Sequence, residues 1–212
     1  KNIVSKLKNH EDFRKLFSNF LFEIGYNKGE TFWDRFVVRV APAENNLPYR
    51  EASRINIHRD TWGTNLYQQI NWWAPVSNVE EKNTMIFYPD YFDVPVKNTT
   101  STWDLNIYLA NRKKGDFSYP SAPQLKEDLP SNINKIPVTI KPGEILCFSG
   151  AHLHSSSKEK SENTRISFEI RTICENDLNS SAQAPNVDCD LQWKFPKIFK
   201  KINDNSPLKI TS

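Results

Sequence analysis

"RINIHRDTWGTN", residues 54 to 65, is the stretch on which the reading of the fold turns. Ile55 and Ile57 alternate with polar neighbours as in a half-buried strand, and His58 and Asp60 follow at a spacing of two. On a strand, residues i and i+2 face the same side with Cα atoms about 7 Å apart, so an imidazole nitrogen and a carboxylate oxygen can reach one cation. Arg59, between them, is expected to point to the opposite face. The run then breaks at Trp62-Gly63, which reads as the mouth of a β-structure. Taken alone, His-x-Asp is a weak signal in a chain with 4 histidines and 25 acidic residues, and a polar strand end is the competing reading.

The totals narrow the context. A chain of 212 residues is long enough for one sizeable core and too short for two. Hydrophobic residues make up 38% and aromatics 12%, which supports burial and argues against wholesale disorder. A net charge of +3 makes no case for nucleic acid or a membrane surface. Cys147, Cys174 and Cys189 are odd in number and widely spaced, without metal-ligand spacing or a disulfide framework, which predicts a cytoplasmic, reducing setting. No apolar run approaches the roughly 20 residues of a membrane span, and no charged-then-apolar leader opens the sequence. No pattern bears on oligomeric state.

Outward from the opening stretch, the periodicity changes twice. Residues 1–25 place Phe13, Leu16, Phe17, Phe20, Leu21 and Ile24 at helical spacing with Lys and Glu opposite, predicting a flanking helix stopped by Gly25. His10 lies on its polar side. From residue 32 the period becomes two. "RFVVRVAP", "RINIH", "NLYQQINWWAP", "TMIFYP", "IPVTI", "EILCF", "HLHSS" and "TRISFEIRTI" predict about eight short strands, with Lys141-Pro142-Gly143-Glu144 as a tight turn. Residues 90–135 read as an insertion, in which Ser101 caps a short helix starting at Trp103, with Asp104 completing a capping box. The stretch 176–190 is structureless on pattern, and "LQWKFPKIFKK" reads as a docked C-terminal segment. The expectation is a single domain over 1–212, mainly β, a sandwich or barrel core over about 32–175 with helices outside it.

A second cluster sharpens the first. "GEILCFSGAHLHSSSKEKSENTRISFEIRT" supplies His154, 96 residues after His58, and then Arg165 and Ser167. Two histidines and one carboxylate form a facial triad with open positions, which suits non-haem Fe(II), whereas zinc prefers a closed tetrahedral set. Arg165 then acquires a role. A dicarboxylate chelating the metal at one end leaves its far carboxylate inside the protein, where an unpaired charge is prohibitive. A guanidinium pairs with it bidentately, and Ser167, on the same strand face, adds a hydrogen bond. Ile166, Phe168 and Ile170 are expected to face the other way, into packing.

With ten residues between His154 and Arg165-x-Ser167, the pattern resembles the Fe(II)/2-oxoglutarate-dependent oxygenases. "HRDTWGTN", "INWWAPV" and "KPGEILCFSGAHLHSSS" look most like the phytanoyl-CoA dioxygenase-like group. The resemblance implies a double-stranded β-helix, a jelly roll of cupin-like kind. It implies His58, Asp60 and His154 as iron ligands, and Arg165 with Ser167 on the far carboxylate of 2-oxoglutarate. Gln69 and Asn71, on one strand face, would touch the co-substrate or form an ordinary hydrogen-bonded face. The gap to Arg165 selects His154 over His152, which is read as a polar residue at the mouth. The implied reaction uses O2, decarboxylates 2-oxoglutarate to succinate and oxidises a small polar molecule. Because related halogenases replace the carboxylate, Asp60 argues for hydroxylation or another oxygenase outcome. A cupin-like metal-binding module or isomerase is the alternative. Arg171, six residues after Arg165, has a counterpart in nucleic-acid demethylases, a reading that the absence of a basic patch disfavours. Arg171 would otherwise pair with a carboxylate or meet an anionic substrate. Trp62, Trp72 and Trp73 line a pocket or serve as core. Specificity is expected in the loops 42–53, 90–135 and 176–190.

Overall fold

The computed structural model describes residues 10–43, 55–116, 118–157, 159, 161–180 and 182–210. In chain order they form α1 (Glu11–Glu23), β1 (Thr31–Trp33), β2 (Val37–Ala41), α2 (Thr61–Thr64), β3 (Ile70–Pro75), β4 (Met85–Phe87), α3 (Leu105–Lys113), β5 (Ile136–Pro137), β6 (Leu146–Ser149), β7 (His154–Ser156), β8 (Arg165–Cys174), α4 (Glu175–Ser180) and β9 (Lys200–Lys201). Six strands make one antiparallel sheet in the order β6-β3-β8-β1-β9, with β2 also on β8. Three make a second, β5-β4-β7.

β8, the longest strand, organises the larger sheet. Along one edge it pairs first with β2, Ala41 opposite Arg165, and then with β1, Trp33 opposite Thr172. Along its other edge it pairs with β3, Trp72 opposite Ile170 and Asn71 opposite Arg171. Ile170 and Trp72 share the outer face with Trp33 and Phe36, where α1 covers them with Phe17, Phe20 and Leu21. Burying each such side chain contributes about 1.5–3 kcal/mol. The helix ends where expected: Gly25 takes φ +100°, and Tyr26 N–H returns to the Leu21 carbonyl at 2.9 Å. The inner face looks toward the smaller sheet, and Trp73 and Phe148 pack there with Met85 and Val138.

Several expectations are corrected. Ile55–His58 is not a strand; only an isolated bridge pairs His58 with His154, and Arg54 lies outside the described residues. The helix in the insertion begins at Leu105, because Asp104 is its N-cap: its carboxylate accepts from Asn106 N–H at 2.6 Å and Ile107 N–H at 3.2 Å. Ile166 is 38% exposed at the sheet rim, whereas Ile170 is buried in packing and Phe168 meets Phe13. The stretch from 176 lies partly in α4. The tail docks, with Phe199 buried against Phe32, Leu66 and Ile173, and it adds the short β9. Residues 1–9 of the expected first helix and most of the loop 42–53 lie outside the described residues.

Arg59 ties the loops to this frame. It points away from His58 and Asp60, is 2% exposed, and uses all five of its N–H donors. Nε donates to Asp188 Oδ2 at 3.1 Å, Nη1 to the Ala151 and Phe92 carbonyls, and Nη2 to those of Tyr91 and Val94. Asp188 also accepts from Trp62 Nε1 at 2.7 Å and from Val96 N–H at 3.1 Å. Removing one partner of a buried pair leaves the other uncompensated. Asp188→Ala is therefore expected to cost about 3–5 kcal/mol in denaturant unfolding, whereas Lys97→Ala, in the exposed Lys97–Glu127 pair, costs below about 1 kcal/mol.

Candidate metal centre and anion pocket

The bridge between His58 and His154 carries two reciprocal backbone hydrogen bonds, His58 N to His154 O at 2.9 Å and His154 N to His58 O at 3.0 Å. Directly opposed residues project to the same side, so the two rings meet with centroids 4.3 Å apart. After His58 the chain turns: Asp60, at φ −65° and ψ −29°, begins the α2 turn rather than continuing a strand. The turn brings Oδ1 to 3.7 Å from His58 Nε2 and Oδ2 to 3.6 Å from His154 Nε2. One ligand atom from each of the three residues lies within 4.8 Å of the others.

Both imidazoles are oriented by their own backbone. His58 Nδ1 lies 2.8 Å from the Asn56 carbonyl, and His154 Nδ1 lies 2.9 Å from that of His152. A carbonyl only accepts, so each Nδ1 carries the proton and each Nε2 lone pair faces its counterpart and Asp60. Burial holds the His154 imidazolium down, to about 4, with the charge of His58 acting in the same direction. Burial opposes ionisation of Asp60, but His58, His154 and Arg171 outweigh it and hold the carboxyl below its usual range. Two imidazole nitrogens and one carboxylate, buried together, fit a divalent first-row metal.

Gln69 and Asn71 come to the same place, 0% and 1% exposed. Asn71 Nδ2 donates to Asp60 Oδ2, Gln69 Nε2 donates to Asn71 Oδ1 at 2.9 Å, and Thr64 Oγ1 donates to Gln69 Oε1 at 3.1 Å. Gly150 makes room for them: a Cβ there would stand 2.7 Å from Gln69 Nε2.

Beside the His58 and His154 side chains lies a small pocket, partly open to solvent, lined also by Trp73, Met85, Arg39, Glu169 and Arg165. Arg165 is buried, and its guanidinium lies 5.5 Å from the Trp73 ring centroid. Its Nε and the Ser167 hydroxyl are buried without a hydrogen-bond partner among the described residues. Burial, with Arg39 nearby, pushes Arg165 down to about 10, still cationic at neutral pH. A buried cation with an unpaired N–H is costly.

The remaining site residues fall elsewhere. His152 has its ring 4.6 Å from Phe92 and 5.5 Å from Phe87, outside the ligand cluster. Trp62 and Trp72 are core, and Trp73 lines the cavity. Arg171 pairs with Asp34, Nη2 to Oδ2 at 2.6 Å, so it is not available to an anionic substrate. Sequence reasoning missed the Arg39–Glu169 pair, with Nε to Oε2 at 2.5 Å and Nη2 to Oε1 at 3.1 Å. Glu169 was findable, since it shares strand parity with Arg165 and Ser167. Arg39 was not, because its place opposite Ser167 depends on register. Asp34, Asp188, Thr64 and Gly150 carried no local signal either.

No protein-family model matches the chain, and no curated protein resembles it in sequence at a significant level. Among solved structures, EvdO2 from Micromonospora carbonacea var. aurantiaca is similar at a TM-score of 0.50 and 10% identity, over 92% of this chain and 68% of that one. Its complex with 2-oxoglutarate gives 0.50 and 10%, over 82% and 64%. The apo form of ThoJ, a non-heme monooxygenase, gives 0.46 and 14%, over 69% and 47%. The chain thus spans about half to two thirds of the length of these structures. At such identity the likeness to EvdO2 is one of fold.

His154 sets an acid limit on the metal-free protein. Its folded value lies below the ordinary 6.5, so between about 4 and 6.5 the unfolded chain binds the proton that the native state refuses. Stability is expected to be flat in this respect above 6.5 and to fall as pH drops from 6.5 toward 4. His154→Gln is expected to flatten that slope in urea midpoints measured across the interval.

Proposed function

We propose that the protein is a non-haem Fe(II)- and 2-oxoglutarate-dependent oxygenase of the phytanoyl-CoA dioxygenase-like kind, on a double-stranded β-helix, hydroxylating a small polar molecule. The observation that carries this reading is one pocket with two kinds of wall. On one side stand the His58 and His154 imidazoles, clustered with the Asp60 carboxylate; on the other stands a buried guanidinium without a carboxylate partner among the described residues. The fold shared with EvdO2 supports it.

In this reading His58, Asp60 and His154 hold the metal. Arg165 pairs with the distal carboxylate of 2-oxoglutarate, and Ser167 donates one further hydrogen bond to it. Trp73 and Met85 supply an apolar part of the wall beside Arg165, where a lower local polarity strengthens its contact with an anion. When bound, metal and co-substrate supply the oxidising power, with O2 consumed and 2-oxoglutarate decarboxylated to succinate. The Arg39–Glu169 pair closes the cavity without competing for the anion, because each group is engaged by the other.

The direct test is succinate formation that requires both Fe(II) and 2-oxoglutarate, together with a weak visible charge-transfer band when both are added anaerobically. Iron-loaded protein showing neither would instead be a metal-binding module without oxygenase activity. Arg165→Ala is expected to weaken 2-oxoglutarate binding by roughly 10- to 150-fold, the worth of a hydrogen bond to a charged group, while iron content stays unchanged. His154→Ala is expected to lose iron and His152→Ala to retain it, read by metal analysis after desalting.

A further inference from the structure

Thr64, Gln69 and Asn71 form more than a satisfied polar interior, because the direction of every hydrogen bond among them is forced from one end. The Asp60 carboxylate receives the Asn71 side chain at Oδ2, and a carboxylate oxygen there accepts. Asn71 must therefore turn its NH2 toward Asp60 and its carbonyl oxygen toward Gln69. Gln69 must in turn offer its own NH2 there, which leaves its carbonyl oxygen to the Thr64 hydroxyl. The orientations of both amides follow from these directions.

The arrangement also closes on itself. Asp60 and Thr64 are the two ends of the α2 turn, so the side-chain bonds and that turn make one ring. Gly150 braces it through backbone contacts at both places: its N–H donates to the Gln69 carbonyl at 2.9 Å, and its carbonyl accepts from Thr61 N–H at 3.2 Å. Every side chain in the ring except Asp60 is at most 2% exposed, so water does not substitute for a missing member.

We propose that Thr64, Gln69 and Asn71 are positioning residues for Asp60, a directional relay that fixes the rotation of its carboxylate and thereby sets the metal affinity of the site. The inference rests on the reading of His58, Asp60 and His154 as metal ligands. Asn71 donates to Oδ2, the oxygen that faces His154 Nε2, while Oδ1 faces His58 Nε2, so the rotation of the carboxylate about this bond sets how both oxygens meet the cation. In place of a role on the co-substrate, Gln69 and Asn71 then act through Asp60.

The test uses Co(II) and the full chain, reading affinity by titration of the cobalt visible absorption bands. Gln69→Glu is nearly isosteric but replaces the donor of residue 69 with an acceptor, so Asn71 must turn its oxygen toward Asp60. It is expected to weaken Co(II) binding by roughly 10- to 100-fold and to alter the band pattern. Thr64→Val removes the terminal donor and is expected to weaken binding in the same direction by less, with Thr64→Ser restoring it. Both variants are compared at matched metal-free unfolding temperature, and Thr64→Val carries the test if Gln69→Glu does not fold. Wild-type protein that takes up no Co(II) overturns the metal reading, and the relay with it. Wild-type uptake with unchanged affinity and spectrum in Thr64→Val and in folded Gln69→Glu overturns the relay alone.

Discussion

A guanidinium sealed from water is the constraint around which much of the molecule is arranged. Arg59 stands between two candidate metal ligands in sequence and faces away from both, into the Asp188 carboxylate and four carbonyls. Those carbonyls belong to Tyr91, Phe92 and Val94 in the insertion and to Ala151 just before β7. Asp188 comes from the C-terminal segment and also holds Trp62 and Val96. A single side chain therefore fixes the backbone that presents His58 and Asp60, and fastens two long segments around it. Ionic burial of this kind stabilises only when every donor is matched, and here all five are.

The inner face of β8 follows a related rule with a different outcome. Three arginines, Arg39, Arg165 and Arg171, stand near Glu169, Asp34 and Asp60, but they are not paired evenly. Arg39 and Arg171 have carboxylates in hydrogen-bond contact, while Asp60 is turned toward the two histidines. The imbalance is local, and in the proposed reading it is a cation beside Asp60 and an anion beside Arg165 that would complete the pairing. A divalent metal with a dicarboxylate dianion would fill both needs and leave the net charge unchanged.

Much of this was legible in the sequence, for reasons that differ by residue. His58, Asp60, His154, Arg165 and Ser167 were singled out because residue type, spacing and strand parity agreed, and the fold brings the first three together. Parity predicted that Asp60 would join His58 by the wrong conformation, since a helical turn and not a strand delivers the carboxylate. Ile166 shows the limit of alternation, which assigns a face but not its depth: its face is packed at Ile170 and open at the rim. Arg39 and Asp188 were illegible because their roles depend on which distant segment arrives, and no local pattern carries register. Asp104 displaced Ser101 as a cap because a carboxylate at that position satisfies two helix N–H groups by itself.

Gly150 has a consequence for how such a site changes over evolutionary time. It is not at positive φ, so backbone conformation does not require glycine there. The requirement comes from the amide of Gln69, just before the neighbouring strand β3, which occupies the space that a side chain would take. The two positions are thus one volume divided between two residues. Across relatives they are expected to covary, a bulkier residue at 150 appearing where 69 is shortened, even though they are 81 positions apart and neither would touch the metal.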